Sequence, residues 1–411
     1  MSEWTPIKLG SIVNITNGFA FKSENFLTSL TFNTLPVLKI KNVANGDVHL
    51  KDVQYHLIDS KYDKYTSSKG DILITLTGNH PQALTQVVGA VSKQKFDTLA
   101  YINQRVAKID PISSLAFKDF IYYFLKEKST HDYLASQSSG SANQANISKA
   151  DIENVELLLP PVTEQIAIAS VLSSLDDKID LLHHQNKTLE SMAETLFRQW
   201  FDVDSNDEWQ EKNVLDIFTL VGGGTPKTSV AEYWTDEIPW ISGGDISAAH
   251  QGYLYSTEKS ISLAGLQNSS AKLLPKNSTV ISARGTVGKY ALLARDMAFS
   301  QSNYGIVSKI GSYPFFIYLL VGFIVDDLLT AAYGSVFDTI TTRTFESVNL
   351  KFPSLNSIEK FNEEISPIFS KKETNTQQIK TLENLRDTLL PKLMSGEVRV
   401  QYAEEAIASV A

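Results

Sequence analysis

The chain has no cysteine. That excludes a disulfide framework and any thiolate metal site, and it suits a reducing, cytoplasmic setting. It also lacks a long uninterrupted apolar run. The most apolar stretch, "YPFFIYLLVGFIV", meets Asp326 and Asp327 after too few residues to span a bilayer, so no membrane segment is expected. The opening "MSEWTPIKLG" has neither the basic nor the apolar region of a secretory signal. Basic excess is missing too: the formal net charge is −9 over 411 residues. The acidity is uneven, with net +1 in residues 1–160, −3 in 206–353 and −7 in the remainder. Any DNA affinity of this chain alone should therefore be weak, because neutralising backbone phosphates supplies most non-specific binding.

What is present is a unit written twice. Trp4, Ile12, Gly18, Lys22 and Ser23 match Trp209, Ile217, Gly223, Lys227 and Thr228 at an offset of 205. "LPVLKI" matches "IPWISG" at 203, and "KGDILITLTG" matches "KNSTVISARG" at 207. Gln104 aligns with Gln301 at 197, and "DFIYYFL" with "PFFIYLL" at 195. Ile147, Val155 and Pro160 match Ile340, Val348 and Pro353 at 193. A drifting offset means small insertions in loops on a kept scaffold. Within each copy "DILITL" and "STVISA" read as strands, "FKDFIYYFLKEKSTHDYLASQ" has helical period, and "VELLLPP" and "VNLKFPS" read as a last strand stopped by proline.

Each copy then runs into a long amphipathic stretch. From Pro161 to Phe201 a seam recurs in steps of four and three: Ile168, Leu172, Leu175, Ile179, Leu182, Asn186, Leu189, Ala193, Leu196 and Trp200. It returns 193 residues later as Phe361, Ile365, Ile368, Lys372, Asn375, Ile379, Leu382, Arg386, Leu389 and Leu393. A stripe also marks any helix that covers a core, but a run of about 35 residues extends roughly 50 Å, longer than most globular helices. The polar seam positions Asn186, Lys372, Asn375 and Arg386 suit a register-setting device between paired helices. About ten extended residues link the first helix to Trp209 and span at most about 36 Å, so the second domain is expected at the far end of that helix and the second helix must return antiparallel. The expected fold is α+β, with two similar mostly-β domains at opposite ends of a two-helix antiparallel coiled-coil spacer, related by a pseudo-two-fold. Its boundaries are 1–160, helix 161–201, 206–353, helix 354–396 and a tail 397–411.

The duplication, "GGTPKT" at Gly223 to Thr228, the helix start P-x-x-EQ-x-x-I at Pro161, Glu164, Gln165 and Ile168, and the strings "LFRQWF" and "LENLRDTLLPKLMSGEV" carry a resemblance. Over essentially its whole length the chain resembles the specificity subunit of Type I restriction–modification systems. The second helix start, "PSLNSIEKF", departs from the P-x-x-EQ form. The resemblance implies two target-recognition domains that each read half of a bipartite, asymmetric double-stranded DNA target. It also implies helices that set the spacer and dock two methyltransferase subunits, which in turn recruit the restriction–translocase subunits. A tandem scaffold of protein- or glycan-binding modules is the competing reading, favoured by the acidity. An enzyme that cuts outside its site would need length that the chain does not have.

No catalytic constellation, cofactor or metal site is expected. "RGTVGKY" has Ala283 where a phosphate loop needs its first glycine and Tyr290 where Ser or Thr would bind magnesium, and His183-His184 lack i, i+4 spacing. Candidate DNA contacts are polar loop residues, because Asn and Gln suit adenine, Arg suits guanine, and Lys, Ser and Thr hold phosphates. In the first domain these are Lys22, Ser23, Lys41, Asn42, Thr77, Asn79, His80, Gln82, Gln104, Arg105, Asn143, Gln144 and Asn146. In the second they are Thr225, Lys227, Thr228, Ser242, Asp245, Arg284, Thr286, Lys289, Gln301, Asn303, Thr339, Thr342 and Arg343. A turn residue that only bonds its own backbone has the same composition.

Overall fold

The computed structural model describes residues 4–44, 46–78, 87–139, 145–201, 209–333 and 339–400. They fall into two compact units, Met1–Asp180 with Lys380–Ala411, and Leu181–Ile379.

In unit 1, "DILITL" yields the strand Ile72–Thr75, whose Ile72, Leu73 and Ile74 are all fully buried. A continuous apolar run, not an alternating one, is what a strand covered on both faces requires. It sits in an antiparallel sheet ordered Val13–Asn17, Val106–Pro111, Ile72–Thr75, Val91–Lys93. Helix α1 (Lys118–Lys126) packs on this sheet. A second sheet is ordered Gln54–Leu57, Thr34–Leu38, Ala100–Ile102, Thr66–Ser67, with its central pair parallel. Leu38, Leu73, Ala100, Ile102 and Val106 share one core between the sheets. Thr5–Lys8 pairs antiparallel with Glu156–Leu159, and α2 (Val162–Trp200) begins after the two prolines Pro160 and Pro161. The single helix expected after Phe117 is two, because the Glu127 carboxylate accepts from Ser129 N (3.0 Å) and Thr130 N (3.2 Å) and starts a second one, Lys128–Ser136.

Unit 2 repeats the plan. Its first sheet is ordered Phe218–Gly222, Asn303–Ser308, Thr279–Ser282, Tyr290–Leu293, with Tyr253–Leu254 added in parallel at the edge. The second is ordered Lys259–Ile261, Ile238–Ile241, Met297–Phe299, Leu273–Leu274, again with a parallel central pair. Gln210–Asn213 and Asn349–Phe352 form the closing ribbon. The repeat extends to single hydrogen bonds. Asn103 N donates to Leu38 O (3.0 Å) as Ser300 N does to Ile241 O (2.9 Å), and Phe19 N donates to Ile102 O (3.0 Å) as Gly224 N does to Phe299 O (2.9 Å). Gly18 and Gly223 allow these approaches, since a Cβ would lie 2.2 Å from Asn103 O and from Ser300 O respectively. Gly18→Ala and Gly223→Ala should each destabilise by about 3 kcal/mol through forced backbone displacement. Urea unfolding of the two variants checks this, and a loss near zero would show that the approach is not structural.

Where unit 1 breaks at Glu127, unit 2 has Gly322 inside one unbroken helix, α3 (Pro314–Tyr333). Contrary to the reading of its apolar run as too short, the span Pro314–Ala332 is long and apolar enough to cross a membrane by length and composition. The run continues past Asp326 and Asp327 because both acids are exposed while Ile324 and Leu328 on either side are buried. Half of the span is buried, and Phe316, Ile317, Leu320 and Val321 belong to the core of unit 2, as in a core helix.

Helix α4 (Leu355–Ser395) is 41 residues long and α2 is 39, about 60 Å each. In unit 2 they run antiparallel: Asn375 Nδ2 donates to Asn186 Oδ1 (3.0 Å), Lys372 Nζ to Glu190 Oε1 (2.7 Å), and Trp200 Nε1 to Glu364 Oε2 (3.0 Å). In unit 1, Arg386 Nη1 meets Asp176 Oδ1 at 2.9 Å. Thus each polar seam position has a partner on the other helix. The seam residues Ile168, Leu172, Leu175, Ile179, Leu182, Ala193, Phe361, Ile365, Ile379, Leu382, Leu389 and Leu393 are buried, and Leu189, Leu196, Trp200 and Ile368 are half-buried. At the start of α2 the fully buried Gln165 accepts from Phe117 N (2.8 Å) and donates to Pro160 O (2.8 Å) and Leu115 O (3.2 Å). At the start of α4 the fully buried Ile358 stands in its place, so apolar burial replaces those hydrogen bonds.

Candidate nucleic-acid interface

One end of each unit gathers the loops. In unit 1 the Leu76 carbonyl accepts from Ile147 N (2.9 Å), while Leu76 N donates to Arg105 O (2.9 Å). Thr77–Gly78 pairs with Ala145–Asn146, and Thr77 Oγ1 donates to Asn146 Oδ1 (2.8 Å). Gln104 N donates to Phe19 O (2.9 Å). Gln104, Arg105 and Asn146 are thereby held together and exposed, whereas Thr77 is buried and serves as their tie. Asn79, His80, Gln82, Asn143 and Gln144 lie outside the described residues.

Unit 2 has the same frame. Ala283 N donates to Ser302 O (2.9 Å), and Ile340 N donates to Ala283 O (3.1 Å). This draws exposed Arg284, Gln301, Thr342 and Arg343 and half-buried Thr339 to one end. Arg284 sits on a turn whose Gly285 has φ +81°. Beside it lies a cavity of about 330 Å³, lined in part by Ser247, Thr286 and Lys289. Burial and then the nearby Lys289 hold His250 below the ordinary histidine value.

Several candidates serve the fold instead. Asn42 is fully buried; its Oδ1 accepts from Lys39 N (3.1 Å) and its Nδ2 donates to His49 O (3.2 Å) and Lys51 O (3.0 Å). The repeat-equivalent Asp245 accepts from Ser242 N (2.8 Å) and Ser242 Oγ (2.6 Å), so Ser242 and Asp245 form a capping box. Asn303 is buried and donates to Ser300 Oγ (2.9 Å). Thr286 Oγ1 donates to Gly243 O (3.0 Å). Asn42, Asp245 and Thr286 commit their polar atoms to backbone or a neighbouring side chain, and the Asn303 amide commits its Nδ2 while burial withdraws its Oδ1 from any base. Lys22, Ser23, Lys41, Lys227 and Thr228 are exposed and Thr225 is half-buried. Lys22 also lies 3.7 Å from Glu24.

One cation escaped the sequence reading. Lys39 directly follows Leu38, whose carbonyl holds Asn103, so it belongs to the same end as Arg105. Its Nζ lies 4.2 Å from the centroid of the Phe26 ring. Burial and then Lys41 lower its pKa from the usual lysine value. A lysine closing an apolar strand, "LPVLK", is the signal that marks it.

The chain matches the family model described as Type I restriction modification DNA specificity domain twice, over residues 1–191 and 206–385. The chain belongs to that family. Its members supply the specificity of Type I restriction–modification systems, not the catalysis, and this chain carries the specificity domain in duplicate. It is 27% identical to the MjaIX specificity subunit of Methanocaldococcus jannaschii, over 97% of each chain. It is 23% identical to the HindI specificity subunit of Haemophilus influenzae, over 97% of this chain and all of that one. Its fold matches the crystal structure of a Type I system S subunit from M. genitalium with a TM-score of 0.60 at 15% identity, over 95% of this chain and 96% of that one.

Proposed function

We propose that the two domains, 1–160 and 206–353, each read one half of a bipartite double-stranded DNA target, with helices 161–201 and 354–396 as the ruler between halves. The observation that carries this reading is a shared backbone frame with different exposed side chains. Around Leu76 it presents Gln104, Arg105 and Asn146, and around Ala283 it presents Arg284, Gln301, Thr342 and Arg343. Equal frames dock on DNA in equal fashion, and unequal side chains ask for unequal bases. Arg105, Arg284 and Arg343 are assigned to guanine or phosphate, Gln104, Asn146 and Gln301 to base edges, and Lys39 and Lys41 to phosphates.

With net +1 in the first domain and −3 in the second, much of the DNA affinity is left to partners. Two methyltransferase subunits dock on the helices, in the cytoplasm, and the restriction–translocase subunits bind through them. Off the seam, α2 leaves Ile166, Leu181 and Met192 exposed, apolar side chains that a docked subunit would cover.

The experiment is sequencing of methylated bases in DNA from cells that express this chain with and without its methyltransferase. A gapped two-part motif that needs both is expected. Exchanging residues 207–353 for those of a relative should then change one half of the motif and leave the other intact. Change in both halves would sink modular reading. A soluble complex that yields no motif would hand the role to the scaffold reading.

A further inference from the structure

A further place where the repeat would have the two units agree, and they differ, lies beside Tyr123 and Tyr318. In unit 1 the Tyr123 hydroxyl donates to Asp176 Oδ2 (2.8 Å). Arg386 spans Asp176 (Nη1, 2.9 Å) and Asp387 (Nε, 2.9 Å), filling the space beside that tyrosine with a guanidinium. Carried across the repeat, Tyr123 becomes Tyr318 and Asp387 becomes Glu194, so a hydroxyl and a carboxylate are kept. Arg386 becomes Ala193, and Asp176 becomes Phe369. The guanidinium is gone, and what remains is a cavity of about 330 Å³ lined by Ala193, Glu194, Tyr318 and Phe369 among others.

Two further observations point to a ligand. Tyr318 is 4% exposed, and its hydroxyl meets no hydrogen-bond partner among the described residues. A buried hydroxyl in that condition costs about 1–3 kcal/mol. The rest of the lining suits a cation. Glu190 is half-buried and matched by Lys372 (2.7 Å), but Glu194 and Asp326 stand exposed around the mouth against the single Arg198. Aromatic rings face the same space, with Tyr318 and Phe369 5.6 Å apart and Tyr290 and Tyr318 5.5 Å apart. Such rings favour a cation over their faces. Burial raises Tyr290 to about 12, so both phenols stay neutral donors and acceptors.

We infer that this cavity of unit 2 binds an organic cation, an alkylguanidinium or alkylammonium group seated between Glu194, the Tyr318 hydroxyl and the Phe369 ring. The group occupies the space that Arg386 fills from within in unit 1. Its source is a free metabolite or an arginine or lysine side chain of a partner subunit.

The test titrates the full chain with n-butylguanidinium, followed by ligand-observed NMR, with n-butylurea as the neutral isostere. Saturable binding in about the millimolar range is expected for so small a ligand, with the urea at least tenfold weaker. Ala193→Arg should abolish binding, because its own guanidinium takes the place. Glu194→Gln should weaken it about tenfold and keeps the shape should the arginine variant fold poorly. No saturation, equal binding of urea and guanidinium, or titrations unchanged in both variants would each overturn the inference. Repeating the titration on the assembled complex with the methyltransferase separates the sources: loss of the site assigns it to a partner side chain, and retention to a free cation.

Discussion

Replacing Arg284 and Arg343 together by alanine is expected to weaken binding of the assembled complex to its target duplex about a thousand-fold. Both are exposed, and the Ile340 N to Ala283 O hydrogen bond (3.1 Å) ties together the segments that carry them. A well-placed arginine contact is worth about 1–3 kcal/mol of discrimination, and two at about 2 kcal/mol each give that factor. Methylated-base sequencing should show one half of the motif relaxed and the other kept, because Gln104, Arg105 and Asn146 belong to the other domain's frame. Fluorescence anisotropy on matched and half-mismatched duplexes measures both effects. A loss under threefold, or equal relaxation of both halves, would remove these arginines from base reading.

Arg386→Ala should destabilise unit 1 by about 3 kcal/mol, because it leaves a largely buried carboxylate with its main partner removed. Asp176 is held by Arg386 at 2.9 Å, the Tyr123 hydroxyl at 2.8 Å and Lys126 at 3.7 Å. Burial alone would raise Asp176, but Lys126, Arg386 and Tyr123 outweigh it and hold the carboxyl below its ordinary 3.8. A depressed carboxylate contributes stability that is fully present above the unfolded value and is lost as the pH falls through the folded one. The wild-type chain should therefore lose this contribution as the pH falls below about 4, whereas the variant, whose Asp176 is no longer held down by the guanidinium, should lose less over the same acidification. Denaturant unfolding from pH 3 to 7 reads both. The double change Asp176→Phe with Arg386→Ala copies the residues of unit 2 and should recover most of the loss, since an apolar replacement of a buried ion pair is often neutral. Failure to recover would mean that the network does more than fill and neutralise this site.

The duplication was legible because strands, turns and seams impose local periods that survive divergence. The strand in "DILITL", the paired helices and their polar seam positions all follow from spacing within a few turns of chain. Two corrections were also within reach of spacing. Ser242-x-x-Asp245 has the interval of a capping box, and a carboxylate two and three residues before Ser129 N and Thr130 N announces the helix start at Glu127.

Other features could not be read from the chain. Asn42 and Asn303 look like Asn146 in sequence, yet two are buried and one is exposed. An amide satisfies backbone or base with the same atoms, and only the distant chain around it decides which. The same holds for Tyr123 and Tyr318, identical residues in aligned helices. One meets Asp176 from 53 residues away, and the other faces Phe369 and an open cavity. The sequence by itself determined the repeat, the elements and the helix register, because those rest on local periodicity and apolar burial. Tertiary structure alone decided which polar groups are spent on the fold and which remain for a ligand, because that depends on neighbours brought together across tens to hundreds of residues.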